Sequence, residues 1–112
     1  MILKVEKILS NYIDDGLLNY FGIEYFDINQ KGLLGDGLLH TAVLQENLED
    51  VKCLFEAGAD INLQGEDGNT ALHYAFMTKN KEIQQFLIEN GADSTIKNDF
   101  GKSLEKICLQ LL

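Results

Sequence analysis

The chain repeats itself at an interval of 33 residues. His40 and His73 stand that far apart, Asp60-Ile61-Asn62 follows Asp27-Ile28-Asn29 by the same step, and Gly91-Ala92-Asp93 follows Gly58-Ala59-Asp60. Gly35, Gly68 and Gly101 fall on the same comb, with Leu39/Leu72, Ala42/Ala75, Glu49/Glu82 and Leu54/Leu87 between them. A fixed period of this size specifies a stacked solenoid, in which each unit buries its apolar face only against its neighbours. Such a stack presents a long surface and no closed pocket. Binding is therefore the default expectation, and chemistry is not.

The period cuts the chain into 1–33, 34–66, 67–99 and 100–112. In 67–99, Thr70 is placed to cap a short helix, and Leu72, Ala75 and Phe76 give that helix one apolar face at i, i+3, i+4 spacing. A turn at Lys79-Asn80 leads to a second helix with Ile83, Phe86, Leu87 and Ile88 inward, stopped at Asn90-Gly91 by a glycine suited to the left-handed conformation. Segment 34–66 repeats the plan: Leu39, Ala42 and Val43 inward, Asn47 capping the second helix, Val51, Leu54 and Phe55 buried, and Gly58 terminating. Gly37 stands where Thr70 stands one repeat later, so the first helix of this segment lacks a capping hydroxyl. The expected helices are 39–46 with 49–57 and 72–79 with 81–89, with no β-sheet beyond short hairpin tips.

These residues resemble the ankyrin repeat. Thr70-Ala71-Leu72-His73-Tyr74-Ala75 is similar to the family's Thr-Pro-Leu-His-x-Ala, with alanine in place of proline, and Leu54-Phe55-Glu56-Ala57-Gly58-Ala59-Asp60-Ile61-Asn62 is similar to its second-helix ending. The resemblance covers 34–99 as two full repeats. Residues 1–33 keep the register with Tyr25 where the helix-ending glycine belongs, and read as a degenerate N-terminal capping repeat; 100–112 read as a truncated C-terminal cap. The resemblance implies an all-α solenoid of stacked helix-turn-helix units with hairpin-like loop tips, forming a single domain over 1–112.

Composition narrows the function classes. The formal net charge is −9 and all nine basic residues are lysine. Arginine is the usual bidentate reader of phosphate and guanine, so nucleic-acid binding is not expected. Acidic residues concentrate in 34–66, where Asp36, Glu46, Glu49, Asp50, Glu56, Asp60 and Glu66 face a single Lys52. A partner with a basic surface and ordinary solubility both fit this balance. No stretch approaches 18 apolar residues, and charges interrupt the apolar residues of Met1–Lys7, so neither a membrane span nor a signal peptide is read. The expected location is the cytoplasm. Cys53 and Cys108, 55 apart within apolar patterns, are expected to be buried reduced core residues.

No constellation points to catalysis. His40 and His73 occupy equivalent sites in neighbouring repeats, not one cluster, and the family resemblance gives this histidine a structural hydrogen bond to the loop backbone. Asp14-Asp15 and Glu49-Asp50 fall at expected helix starts, where negative charge complements the helix dipole. Gly65 to Gly68 follows no strand and reads as a turn, not a phosphate cradle. No metal-ligand spacing occurs. A non-enzymatic chain without cofactor is expected, with Gly58, Thr70, His40, His73 and Gly91 in structural roles.

The resemblance implies binding through loop tips and the outer face of the first helices, which form a concave groove. The corresponding tip positions are Leu33, Leu34 and Asp36, then Glu66, Asp67 and Asn69, then Asp99, Phe100 and Lys102. The groove positions are Leu44, Gln45, Met77 and Thr78. Leu, Met and Phe interleaved with acids suit a protein interface. The same apolar residues could instead pack on a capping repeat or between helices. Three roles stay open: a protein-binding module, an acidic inhibitor or immunity protein that neutralises a basic enzyme or toxin one-to-one, and self-assembly. A monomer is the default.

Overall fold

Helices of seven and nine residues are too short to hold their shape in water, where an isolated helix needs about 12–15 residues, so this chain must make them in mutually supporting pairs. The computed structural model, which describes residues 2–14 and 28–105, shows this arrangement. Its elements are α1 (Ile2–Asp14), α2 (Leu38–Leu44), α3 (Leu48–Glu56), α4 (Ala71–Met77) and α5 (Lys81–Glu89). A single 3-10 turn at Glu66–Gly68 lies between α3 and α4. The expectations for Asp15, Tyr25 and Cys108 lie outside the described residues, and Asp14, expected at a helix start, instead ends α1. Helices α2 and α3 form one pair and α4 and α5 the next; α2 stacks on α4 and α3 on α5, while α1 packs on α3.

Local chemistry sets the helix ends. Asn47 Oδ1 accepts the Asp50 N–H and Asn80 Oδ1 accepts the Ile83 N–H, capping α3 and α5. Thr70 Oγ1 accepts the His73 N–H at the start of α4, as its position predicts. Gly37, at the start of α2, has no side chain to offer. Helices α3 and α5 end at Gly58 and Gly91, with φ of 99° and 97°. There the Ala59 N–H reaches Leu54 O and the Ala92 N–H reaches Leu87 O, satisfying carbonyls that the helix itself cannot.

The first helices of both pairs are shorter than their apolar pattern suggests. Helices expected over 39–46 and 72–79 run over Leu38–Leu44 and Ala71–Met77. The cause is Glu46 and Lys79, which take φ of 54° and 58° and turn the chain out of the helix. The Asn47 N–H then bonds Ala42 O and the Asn80 N–H bonds Ala75 O, so the same asparagine that closes one helix caps the next.

The core follows the comb. Leu39, Ala42, Leu54, Leu72, Ala75 and Leu87 are all buried, with Val43, Val51 and Ile83 beside them. Ala42 and Ala75, one on each inner helix, are fully buried. Helix α1 adds a buried stripe of Val5, Ile8, Leu9 and Tyr12 at helical spacing. Phe55 and Phe86, expected to be buried, are only partly so; their rings meet edge-on at 5.8 Å and link α3 to α5. Cys53 is likewise half-buried and free. Leu54 and Leu87 have no exposed surface, so truncating either to alanine should cost about 2–5 kcal/mol in a denaturant titration. A loss below about 0.5 kcal/mol would contradict the core assignment.

Candidate functional site

Three loop tips precede the positions 37, 70 and 103 and share one construction. The N–H groups of Gly32, Gly65 and Asn98 bond the carbonyls of Asp36, Asn69 and Lys102, which close the tips at equivalent positions in each repeat. Inside each, the N–H of Gly35, Gly68 or Gly101 bonds the carbonyl three residues back. These are hairpin-like turns, and no strand forms among the described residues.

The two histidines tie loop backbone to the helices, with equivalent Nδ1 contacts and non-equivalent Nε2 contacts. Nδ1 of His40 accepts the Gly37 N–H at 2.9 Å and Nδ1 of His73 accepts the Thr70 N–H at 3.0 Å. An accepting Nδ1 leaves the proton on Nε2, which donates to Leu63 O from His40 and to Lys102 O from His73, at 2.8 and 3.0 Å. Both rings are buried scaffold groups. Gln64 adds a further bridge, its amide donating to Gly68 O and Lys97 O, each at 3.0 Å.

Adjacent tips are locked to each other. Asp36 is buried, and its Oδ1 accepts the Glu66 N–H at 2.8 Å and the Tyr74 O–H at 2.9 Å. The Asp99 N–H donates to Asp67 O at 2.9 Å, and the Asp99 carboxylate packs against Gly68, where no Cβ could fit. Asn69 is buried and accepts from Asn98 Nδ2 at 2.9 Å. Asp36 and Asn69, expected among the partner-contacting residues, therefore face their own chain. They shape the tips. Tyr74 was not singled out as functional in the sequence, because its partner Asp36 lies 38 residues away, off the 33-residue comb.

The other positions divide into two exposed rows. Along the tips, Leu33, Leu34 and Phe100 are 65%, 53% and 68% exposed, and Glu66, Asp67, Asp99 and Lys102 also face solvent. At the far ends of the inner helices, Leu44 and Met77 are exposed, as is Gln45. Thr78 is half-buried, its hydroxyl donating to Tyr74 O and Ala75 O. A seven-residue helix separates the rows by about 10 Å at ~1.5 Å per residue. On the helices between them, Thr41 and Tyr74 are buried. A shallow recess of about 320 Å³ between α1 and α3, lined by Lys4, Lys7, Ile8, Asn11, Glu49, Asp50 and Cys53, had no signal in the repeat pattern. Its opposed charges favour no single ligand charge.

Burial is the largest cause of three unusual titrations. It lowers the His40 pKa, against the opposing effects of the Leu63 carbonyl and the Asp36 charge. It raises the Tyr74 phenol, helped by the bond to Asp36. It also raises the Asp50 carboxyl, although the Tyr12 hydroxyl donates to it at 3.2 Å. Among the described residues no group of His, Cys, Asp and Glu is placed to hold a metal ion, and no helix is long and apolar enough to cross a membrane.

Two outcomes follow from this lock. Tyr74→Phe leaves Asp36 short of a donor and should cost about 1–3 kcal/mol by urea titration; an unchanged midpoint would mean the bond contributes nothing. For His40, an unfolded histidine titrates near ~6.5. Below that pH the unfolded chain takes up a proton that the folded chain resists, so the stabilisation is full above it and declines as pH falls through the window. Unfolding free energy should fall more between about pH 7.5 and 5.5 in the wild type than in His40→Gln. Equal declines would remove His40 from the linkage.

A family model for ankyrin repeats, in three copies, matches residues 8–98. No curated protein matches the chain.

Proposed function

We propose that this chain, which belongs to the ankyrin-repeat family, binds a protein partner through its loop tips and the exposed ends of its inner helices. Ankyrin repeats are generally protein–protein interaction modules, and the family is generally non-enzymatic. The observation that carries the surface assignment is the exposure of Leu33, Leu34, Leu44, Met77 and Phe100 on a scaffold whose other large apolar side chains, among the described residues, are buried or half-buried. An exposed apolar row rimmed by charge gains free energy when a partner covers it. Phe100 is the strongest anchor, since large aromatics dominate interface energies.

The acids give this surface a second role. Glu66, Asp67 and Asp99 flank the apolar residues and would speed docking of a basic surface. The acid-rich 34–66 segment also supports a narrower reading, inhibition of a basic enzyme or toxin by one-to-one occlusion. Stoichiometric loss of the partner's activity separates that reading from an adaptor role.

The test is capture from source-cell extract with the tagged chain and two paired variants. Phe100→Ala with Met77→Ala should lose the partner, while Gln85→Ala with Glu89→Ala, on the exposed side of α5, should retain it. The reverse pattern would remove the surface assignment and leave the fold intact. With the partner purified, Glu66→Lys with Asp67→Lys should slow association more than it speeds dissociation. That effect should shrink with added salt, because exposed charges are screened over ~8 Å at physiological ionic strength.

A further inference from the structure

The tips are equivalent in backbone but not in side chain, and the difference has an order along the stack. Leu33, Glu66 and Asp99 occupy one comb position, and Leu34, Asp67 and Phe100 the next. The first tip is thus apolar, the middle tip doubly acidic, and the third carries an aromatic side chain beyond an acid. The Asp99 carboxylate lies against Gly68, so the third carboxylate also belongs to the middle tip. No ion pair to a lysine neutralises these three among the described residues. The exposed lysines nearest the row in sequence, Lys31, Lys97 and Lys102, flank its outer tips. A cation is favoured at the centre and disfavoured at either end.

Resting on the proposed binding surface, we infer that the tip row recognises a peptide segment of a protein partner in which a lysine or arginine is flanked on both sides by large apolar side chains. The cation meets Glu66, Asp67 and Asp99; the apolar groups cover Leu33-Leu34 on one side and Phe100 on the other. The middle tip is held for this purpose before any partner arrives. Asp36 fixes the Glu66 amide, and the Asp67 carbonyl is bound to the Asp99 amide. Little ordering cost remains to be met on binding. First and third tips lie two repeat spacings apart, about 20 Å at ~8–10 Å per packed helix. An extended segment of about six residues at ~3.3 Å each covers that distance.

A display library of random peptides of about 12 residues, twice the spanning length at ~3.3 Å per residue, tests this on the full chain. Peptides selected on the wild type should carry a basic residue between apolar ones, and should bind Glu66→Lys with Asp67→Lys at least about tenfold more weakly, a change of ~1.4 kcal/mol. The same library selected on that variant should lose the basic residue and gain an acidic one. Lysine is tolerated in the left-handed conformation of Asp67, as Lys79 demonstrates, and matching thermal unfolding checks that the variant is folded. Peptides without a basic residue, or with equal affinity for the variant, overturn this inference while leaving the binding surface in place. Peptides that bind Leu33→Ser with Phe100→Ser as well as the wild type dock away from the tips and overturn the proposed function too. A library from which nothing enriches counts against both.

Discussion

Everything in this chain depends on one short helix covering another across a repeat boundary. Helices α2 and α4 are seven residues long, and neither has enough internal hydrogen bonds to survive alone. Their stability comes from packing on each other and on the outer helices, which leaves Ala42, Val43, Leu72 and Ala75 with little or no exposure to water. The outer helices α3 and α5 supply Val51, Leu54, Ile83 and Leu87 to the same core. Because each unit is completed by its neighbour, damage to one interface removes support from both sides.

The loops inherit their order from that stack. Each buried histidine sits on an inner helix and reaches a loop carbonyl with Nε2, so the tip geometry is referred back to a rigid element. Asp36 and Tyr74 carry the constraint across the boundary, joining the first tip to the backbone of the second and to α4. A buried carboxylate is costly unless its oxygens are satisfied, and here two donors meet one oxygen. This arrangement explains how exposed loops with strained residues such as Asp67, at φ 57°, hold one shape.

The periodic part of this structure is legible in the sequence. Equivalent positions must repeat chemistry to repeat packing, which is why Leu39, Ala42, Leu54, Leu72, Ala75 and Leu87 stood out, and why Thr70, Asn47, Gly58 and Gly91 marked helix ends. What the comb could not reveal lies off it. Asp36 and Asn69 resemble solvent-facing tip residues, and their burial depends on Tyr74 and Asn98, which adopt partners 38 and 29 residues away. Glu46 and Lys79 end their helices without a glycine to announce the turn. Exposure of Leu33, Leu44 and Met77 was open in the sequence, because capping or inter-helix packing could have covered them; the structure leaves them at the surface.

In the proposed function the stack supports, and the tips with the inner-helix ends bind. Hydrogen–deuterium exchange on the chain alone and with its captured partner compares these regions directly. Added protection should appear at 33–36, 66–69 and 99–102 and at the helix ends near 44–46 and 77–79, with α3 and α5 unchanged. Protection concentrated in α3 and α5, with the tips exchanging as before, would contradict it.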